Sequence, residues 1–107
     1  SRIVMQEISA VELMAIYKRV SVVDVRELDE YVDGHVPGAK HIPLSMVPVR
    51  NNEIDKATKH YVICEAGGRS AQACAFLEQQ GFDVVNIAGG TGSWRMMGAP
   101  LNTGEQA

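Results

Sequence analysis

The sequence predicts an α/β domain with a mainly parallel central sheet flanked by helices. Short β-branched apolar runs alternate with segments of helical spacing over about a hundred residues, the pattern of strands joined through helices. The runs are nearly continuous in apolar character, as strands covered on both faces are. With 107 residues, 46% of them apolar, the chain can bury one core without metal or disulfide staples. Residues 1–107 are therefore expected to form a single domain, with its core at about 5–101.

Ser9-Ala10-Val11-Glu12 is a capping box, in which a hydroxyl accepts from the amide three residues on and the glutamate reaches back to the cap. The helix it starts is expected from about Ala10 to Lys18, with Val11, Met14 and Ala15 as its packing stripe. Val20 to Val25 reads as a central parallel strand. Glu27 to Asp33 reads as a short helix ended by Gly34, and a Gly- and Pro-punctuated loop leads to a strand around Ala39 to Ile42. Residues 43–59 are polar and irregular, with room for one or two helical turns. Tyr61 to Cys64 reads as a strand. Ser70 to Gln80 reads as a helix, with Ala73, Phe76, Leu77 and Gln80 at helical spacing and Gly81 as its cap. Asp83 to Ile87 is the last strand, before a Gly-rich turn and a short segment around Trp94.

Ten Lys and Arg stand against thirteen Asp and Glu, a formal charge of -3, which argues against nucleic acid or an anionic membrane as partner. No apolar stretch approaches the ~18 residues of a membrane span and no signal peptide is visible, so a soluble, cytoplasmic monomer is expected. The two cysteines, Cys64 and Cys74, lack the paired spacing of a zinc site, and His35, His41 and His60 show no ligand grouping. No metal and no cofactor are expected.

The stretch "CEAGGRS", 64–70, places a cysteine at the carboxyl end of a strand, where ligands sit in an open parallel sheet. Gly67 and Gly68 can take positive φ and turn successive amides inward as an anion-binding nest, and Ser70 opens a helix whose free N–H groups point the same way. Such surroundings lower a cysteine pKa from about 8.5 to roughly 3.5–7.5. The alternative is a glycine turn carrying an idle thiol. For Cys74, inside a helix and flanked by alanines, a small core residue is the expectation, without a disulfide to Cys64.

Two long segments carry a resemblance. "VVDVRELDEYVDGHVPGAKHIP" (22–43) and "YVICEAGGRSAQACAFLEQQGFDVVNIAGGTGSW" (61–94) are similar, in order, to the strand, DVR turn and G-H-x-P-G-A loop, and to the C-x-x-G-x-R-S loop, helix and G-G-x-x-x-W ending, of the rhodanese-like family of single-domain sulfurtransferases. The resemblance implies a three-layer rhodanese-like domain. It also implies that Cys64 is the sulfur-carrying nucleophile, and that Glu65, Ala66, Gly67, Gly68, Arg69 and Ser70 form the substrate-binding cradle. The Cys64 thiolate would take the outer sulfur of a small-molecule donor such as thiosulfate or a persulfide, and a thiol, cyanide or a protein would accept it in a ping-pong cycle.

Arg69 would support the loop or meet an anionic donor. Glu65 departs from the non-acidic residue common after the cysteine in thiosulfate-using members. Pointing inward, it would oppose thiolate formation and repel thiosulfate; pointing away, it would be a solvated side chain. Asp24 and Arg26 are expected as supporting residues joined in a salt bridge, His35 as a loop tie, and Trp94 as a core anchor; Arg95 receives no site role. Two other readings stay open. One is a catalytically weak binding or regulatory module on the same fold. The other is a cysteine phosphatase or arsenate reductase, whose similar loop is one residue longer than the four residues between Cys64 and Arg69.

Overall fold

The computed structural model describes residues 5–107. Five parallel strands, β1 (Gln6–Ser9), β2 (Ser21–Asp24), β3 (Lys40–His41), β4 (His60–Ile63) and β5 (Val84–Ala88), lie in the order β1-β5-β4-β2-β3. Helices α1 (Ala10–Met14), α2 (Leu28–Asp33), α3 (Val47–Arg50), α4 (Gly68–Gln79) and α5 (Gly90–Met96) connect or follow them.

Successive strand residues point to opposite faces, and both faces are buried. Val23, Val62 and Val84 pack with Val47, Ala73, Cys74 and Leu77 beneath α3 and α4. Val22, Ile63 and Ile87 pack with Ala10, Leu13, Tyr31 and Trp94 beneath α1, α2 and α5. The result is the three-layer α/β arrangement expected of the sequence. Continuous apolar runs are what a middle layer needs.

Local signals set most element ends. Ser9 and Glu12 close the capping box through two 3.1 Å bonds. At the far end of α4, Gly81 takes φ +90°, and the Gly81 and Phe82 amides donate back to Glu78 and Leu77 at 3.0 Å, a Schellman closure that seats Phe82 in the core. Residues 44–53 hold α3 between two 3-10 turns.

Three expectations are corrected. The first helix stops at Met14 and resumes as a 3-10 turn over Tyr17–Arg19. Its buried face is Ala10 and Leu13, while Val11 is 67% and Met14 41% exposed. β1 runs straight into the capped helix, so the entry angle at Ser9 sets which side meets the sheet. β1 itself carried no apolar signal. It is an edge strand held by its ladder to β5 and by Gln6, whose side-chain amide donates to Asp83 at 2.8 Å. Finally, α4 begins at Gly68, two residues before the expected start at Ser70.

Among the described residues, no helix is long and apolar enough to cross a membrane, and no group of His, Cys, Asp or Glu is assembled as a metal would require.

Candidate active site

Cys64 follows the last residue of β4, the middle strand, with β5 on one side and β2 on the other. The carboxyl ends of these three strands bring the Cys64 loop, the Asp24–Arg26 turn and the start of α5 together. The Cys64 side chain is 1% exposed. Its Sγ accepts from the Gly67 amide at 3.1 Å and lies 3.2 Å from the Ser70 hydroxyl. Burial pushes the thiol pKa up. Hydrogen bonds from the Ser70 side chain and from the Ser70, Gly67 and Ala66 amides oppose that and leave it below the ordinary value.

Cys74 has the opposite fate. Burial, with further contributions from Glu78, Cys64 and Glu7, pushes it up to about 12. Both thiols are free. One equivalent of iodoacetamide at pH 7 is expected to label Cys64 and leave Cys74 untouched, as read by peptide mass mapping. Equal labelling would mean that the loop amides do not favour the Cys64 thiolate.

Ser70 is the third residue of α4, so its hydroxyl and amide both face the sulfur from the helix N-terminus. Ser70→Ala is expected to move the pH profile of Cys64 alkylation to higher pH and slow labelling at pH 7 by about tenfold, because a hydrogen bond to a charged group contributes about 1.5–3 kcal/mol. An unchanged profile would show that the backbone amides hold the thiolate alone.

The nest is narrower than expected. Gly67 takes φ +111°, but Gly68 is already helical with open space around it, so a single left-handed residue makes the turn. The rest of the loop is shaped from behind, by α5. The Cys64 carbonyl accepts from the Thr91 amide at 2.8 Å and the Thr91 hydroxyl at 3.1 Å, and the Glu65 carbonyl accepts from the Gly92 amide at 2.9 Å. In a trans peptide the N–H points opposite to the C=O, so these bonds aim the Glu65 and Ala66 amides away from α5, and the Ala66 amide toward the Cys64 sulfur. Gly90, at φ +55°, permits the approach: a Cβ there would lie 2.6 Å from the Glu65 carbonyl oxygen and closer still to that of Cys64.

The rhodanese-like domain family model matches residues 9–97. The chain belongs to the rhodanese-like family. It is 40% identical over 83 residues to a sulfurtransferase of Allochromatium vinosum, a match covering 77% of this chain and 78% of that one. It is 39% identical over 77 residues to the thiosulfate sulfurtransferase GlpE of Pseudomonas putida, covering 69% and 68%. A longer relative from Bacillus subtilis is 41% identical over 75 residues, and the match spans 40% of its length. Among solved structures, the crystal structure of a rhodanese-related protein from Thermoplasma volcanium superposes with a TM-score of 0.86 at 35% identity, covering 91% of this chain and 97% of that one.

Within this rhodanese-like domain, charged side chains brace the loop from three elements. Arg26 is 1% exposed and Asp24 0%; their guanidinium and carboxylate meet at 2.8 Å, and Arg26 also donates to the Gly34 carbonyl at 2.8 Å. Arg69 makes a two-bond pair with Glu30 of α2 at 2.7 and 2.9 Å, so it supports the loop. The Arg69 guanidinium holds the Glu30 carboxyl at about 2, well below the carboxylate range. Glu65 lies between two cations, 3.2 Å from Arg26 and 2.9 Å from Arg95. Ala66 and Gly68 are exposed.

His35 and Trp94 are structural, as expected. His35 stacks on the Tyr31 ring at 3.7 Å with Nδ1 2.7 Å from the Tyr31 carbonyl, and the Trp94 indole N–H donates to the Pro100 carbonyl at 2.6 Å. The residues missed at the site are Glu30, Asn86, Gly90, Thr91, Gly92 and Arg95. Asn86 donates from its side chain to the Gly67 carbonyl at 3.3 Å and to Glu7 at 3.0 Å. The repeated glycines of "AGGTGSW" are the one local signal that α5 approaches another backbone closely.

Proposed function

We propose that this domain is a sulfurtransferase in which Cys64 carries sulfane sulfur as a persulfide. The observation that carries the reading is the buried Cys64 Sγ, bonded by the Gly67 amide and the Ser70 hydroxyl where α4 begins. The names of its relatives support the same reaction class. The thiolate attacks the outer sulfur of a donor, the donor's S–S bond breaks, and its electron pair leaves with sulfite or a thiolate. The inward amides and the helix N-terminus stabilise the anionic persulfide until a thiol, cyanide or a protein nucleophile takes the sulfur.

The test is intact-protein mass spectrometry after treatment with thiosulfate, polysulfide and alkyl persulfide in turn. A gain of about 32 Da, mapped to Cys64 and removed by cyanide, is the expected result. No gain from any donor would rule out sulfur carriage and favour a binding module on the same fold. Hydrolysis of an aryl phosphate, lost in Cys64→Ser, would favour a cysteine phosphatase instead.

A further inference from the structure

Resting on the sulfur-carrier reading, we propose that Arg95 is a specificity residue: by holding Glu65 it keeps the mouth of the loop electroneutral and biases the site toward persulfide donors over dianionic thiosulfate.

Three guanidinium groups reach the loop, and each meets a carboxylate: Arg26 with Asp24, Arg69 with Glu30, and Arg95 with Glu65. Among the described residues that brace the loop, cations and anions are therefore equal in number. Their pairing leaves neutral N–H groups as the donors facing the sulfur. Such a set stabilises one added negative charge on Cys64. It gives little attraction to an incoming dianion, which must also approach the thiolate. A persulfide R–S–SH brings less charge to the reacting sulfurs. Cys64–S⁻ attacks its outer sulfur, the S–S bond breaks, R–S⁻ leaves with the electron pair and takes the proton, and Cys64–S–S⁻ remains.

The Glu65–Arg95 pair is the most open and most loosely held member of the set. Asp24 and Arg26 are sealed at 0% and 1% side-chain exposure, and Arg69 and Glu30, at 37% and 29%, are locked by two bonds, whereas Glu65 and Arg95 are 37% and 42% exposed and joined by one. The contact is also shaped by the backbone. Gly92 donates its amide to the Glu65 carbonyl at 2.9 Å, and a Cβ at Gly92 would lie 3.2 Å from the Glu65 carboxylate, so the absence of a side chain there lets Glu65 lie against α5. Arg95 follows three residues later on the same helix face. Arg26, already held by Asp24 and the Gly34 carbonyl, gives Glu65 a second contact at 3.2 Å and fixes it between the two elements.

A charge cycle tests the proposal. The readout is the second-order rate constant for sulfur uptake by Cys64 from thiosulfate and from 2-hydroxyethyl persulfide, followed by intact mass at low ionic strength, and expressed as the ratio of the two. Glu65→Gln frees one positive charge and is expected to raise the thiosulfate-to-persulfide ratio about tenfold. Arg95→Gln exposes the Glu65 charge and is expected to lower it by a similar factor. The double variant restores neutrality and is expected to return the ratio to within about threefold of the parent. Parallel losses with both donors in each single variant, not recovered in the double, would mean that the pair only braces the loop, and would overturn the proposal. No adduct on Cys64 of the unsubstituted protein from either donor is a different result, which overturns the sulfur-carrier reading itself.

Discussion

A Cys64→Ser protein is expected to lose sulfur uptake by at least about 10³-fold from every donor, while melting within a few degrees of the parent. The loss follows from the chemistry of the nucleophile. A serine hydroxyl is not ionised at neutral pH, and the amides that favour a thiolate cannot bring an alkoxide into range. Fold stability changes little because serine is nearly isosteric. Its oxygen inherits the Gly67 amide, 3.1 Å from the present sulfur, and the Ser70 hydroxyl at 3.2 Å, so no buried polar atom is stranded. Mass spectra after donor treatment, paired with thermal melts, separate the two effects. Uptake surviving in Cys64→Ser would move the nucleophile to Cys74, whose thiol is pushed up to about 12 by burial.

Asp24→Ala is expected to cost about 3–5 kcal/mol, lowering the melting temperature by about 15–25 °C. Asp24 accepts from the Arg26 Nε at 3.1 Å, its Nη2 at 2.8 Å and its backbone amide at 2.9 Å, all beneath the surface. Removing the carboxylate leaves a guanidinium that is 1% exposed with only the Gly34 carbonyl and Glu65 as partners. Most of the cost is this buried charge, left with Glu65, which Arg95 shares, as its counter-ion. Asp24→Ala combined with Arg26→Met is therefore expected to be more stable than Asp24→Ala alone. Urea denaturation of the parent and the two variants measures the difference. A single-variant cost under about 1 kcal/mol would show that water reaches the pair. Sulfur uptake should fall too, since Arg26 is one of the two cations that fix Glu65.

Much of the fold was legible from short stretches. β2, β4 and β5 are β-branched and apolar because both faces are covered, and that burial writes itself directly into composition. The Ser9–Glu12 box and Gly81 mark helix ends through groups within a few residues of one another. β1 was not legible: as an edge strand of mixed polarity it owes its conformation to β5, which lies some eighty residues away. The buried side of α1 is not legible in the sequence for a related reason. Periodicity identifies a helix, but the direction of entry from β1 decides which side meets the sheet.

The candidate site divides along the same line. Cys64, the Gly67 turn and the approach of Ser70 to the sulfur were readable from one contiguous stretch, because they act on one another across fewer than ten positions, although the helix itself starts two residues before Ser70. The tertiary structure alone decided what surrounds them. It placed Thr91 and Gly92 behind the loop, Glu30 on Arg69, and Arg95 on Glu65. It also resolved the choice for Glu65, which is neither turned on the sulfur as a bare charge nor free of partners, but half-exposed and held between two arginines. Charge compensation depends on distances across separate strands and helices. Residues some thirty to forty positions apart leave no periodic or capping signal of such a pairing.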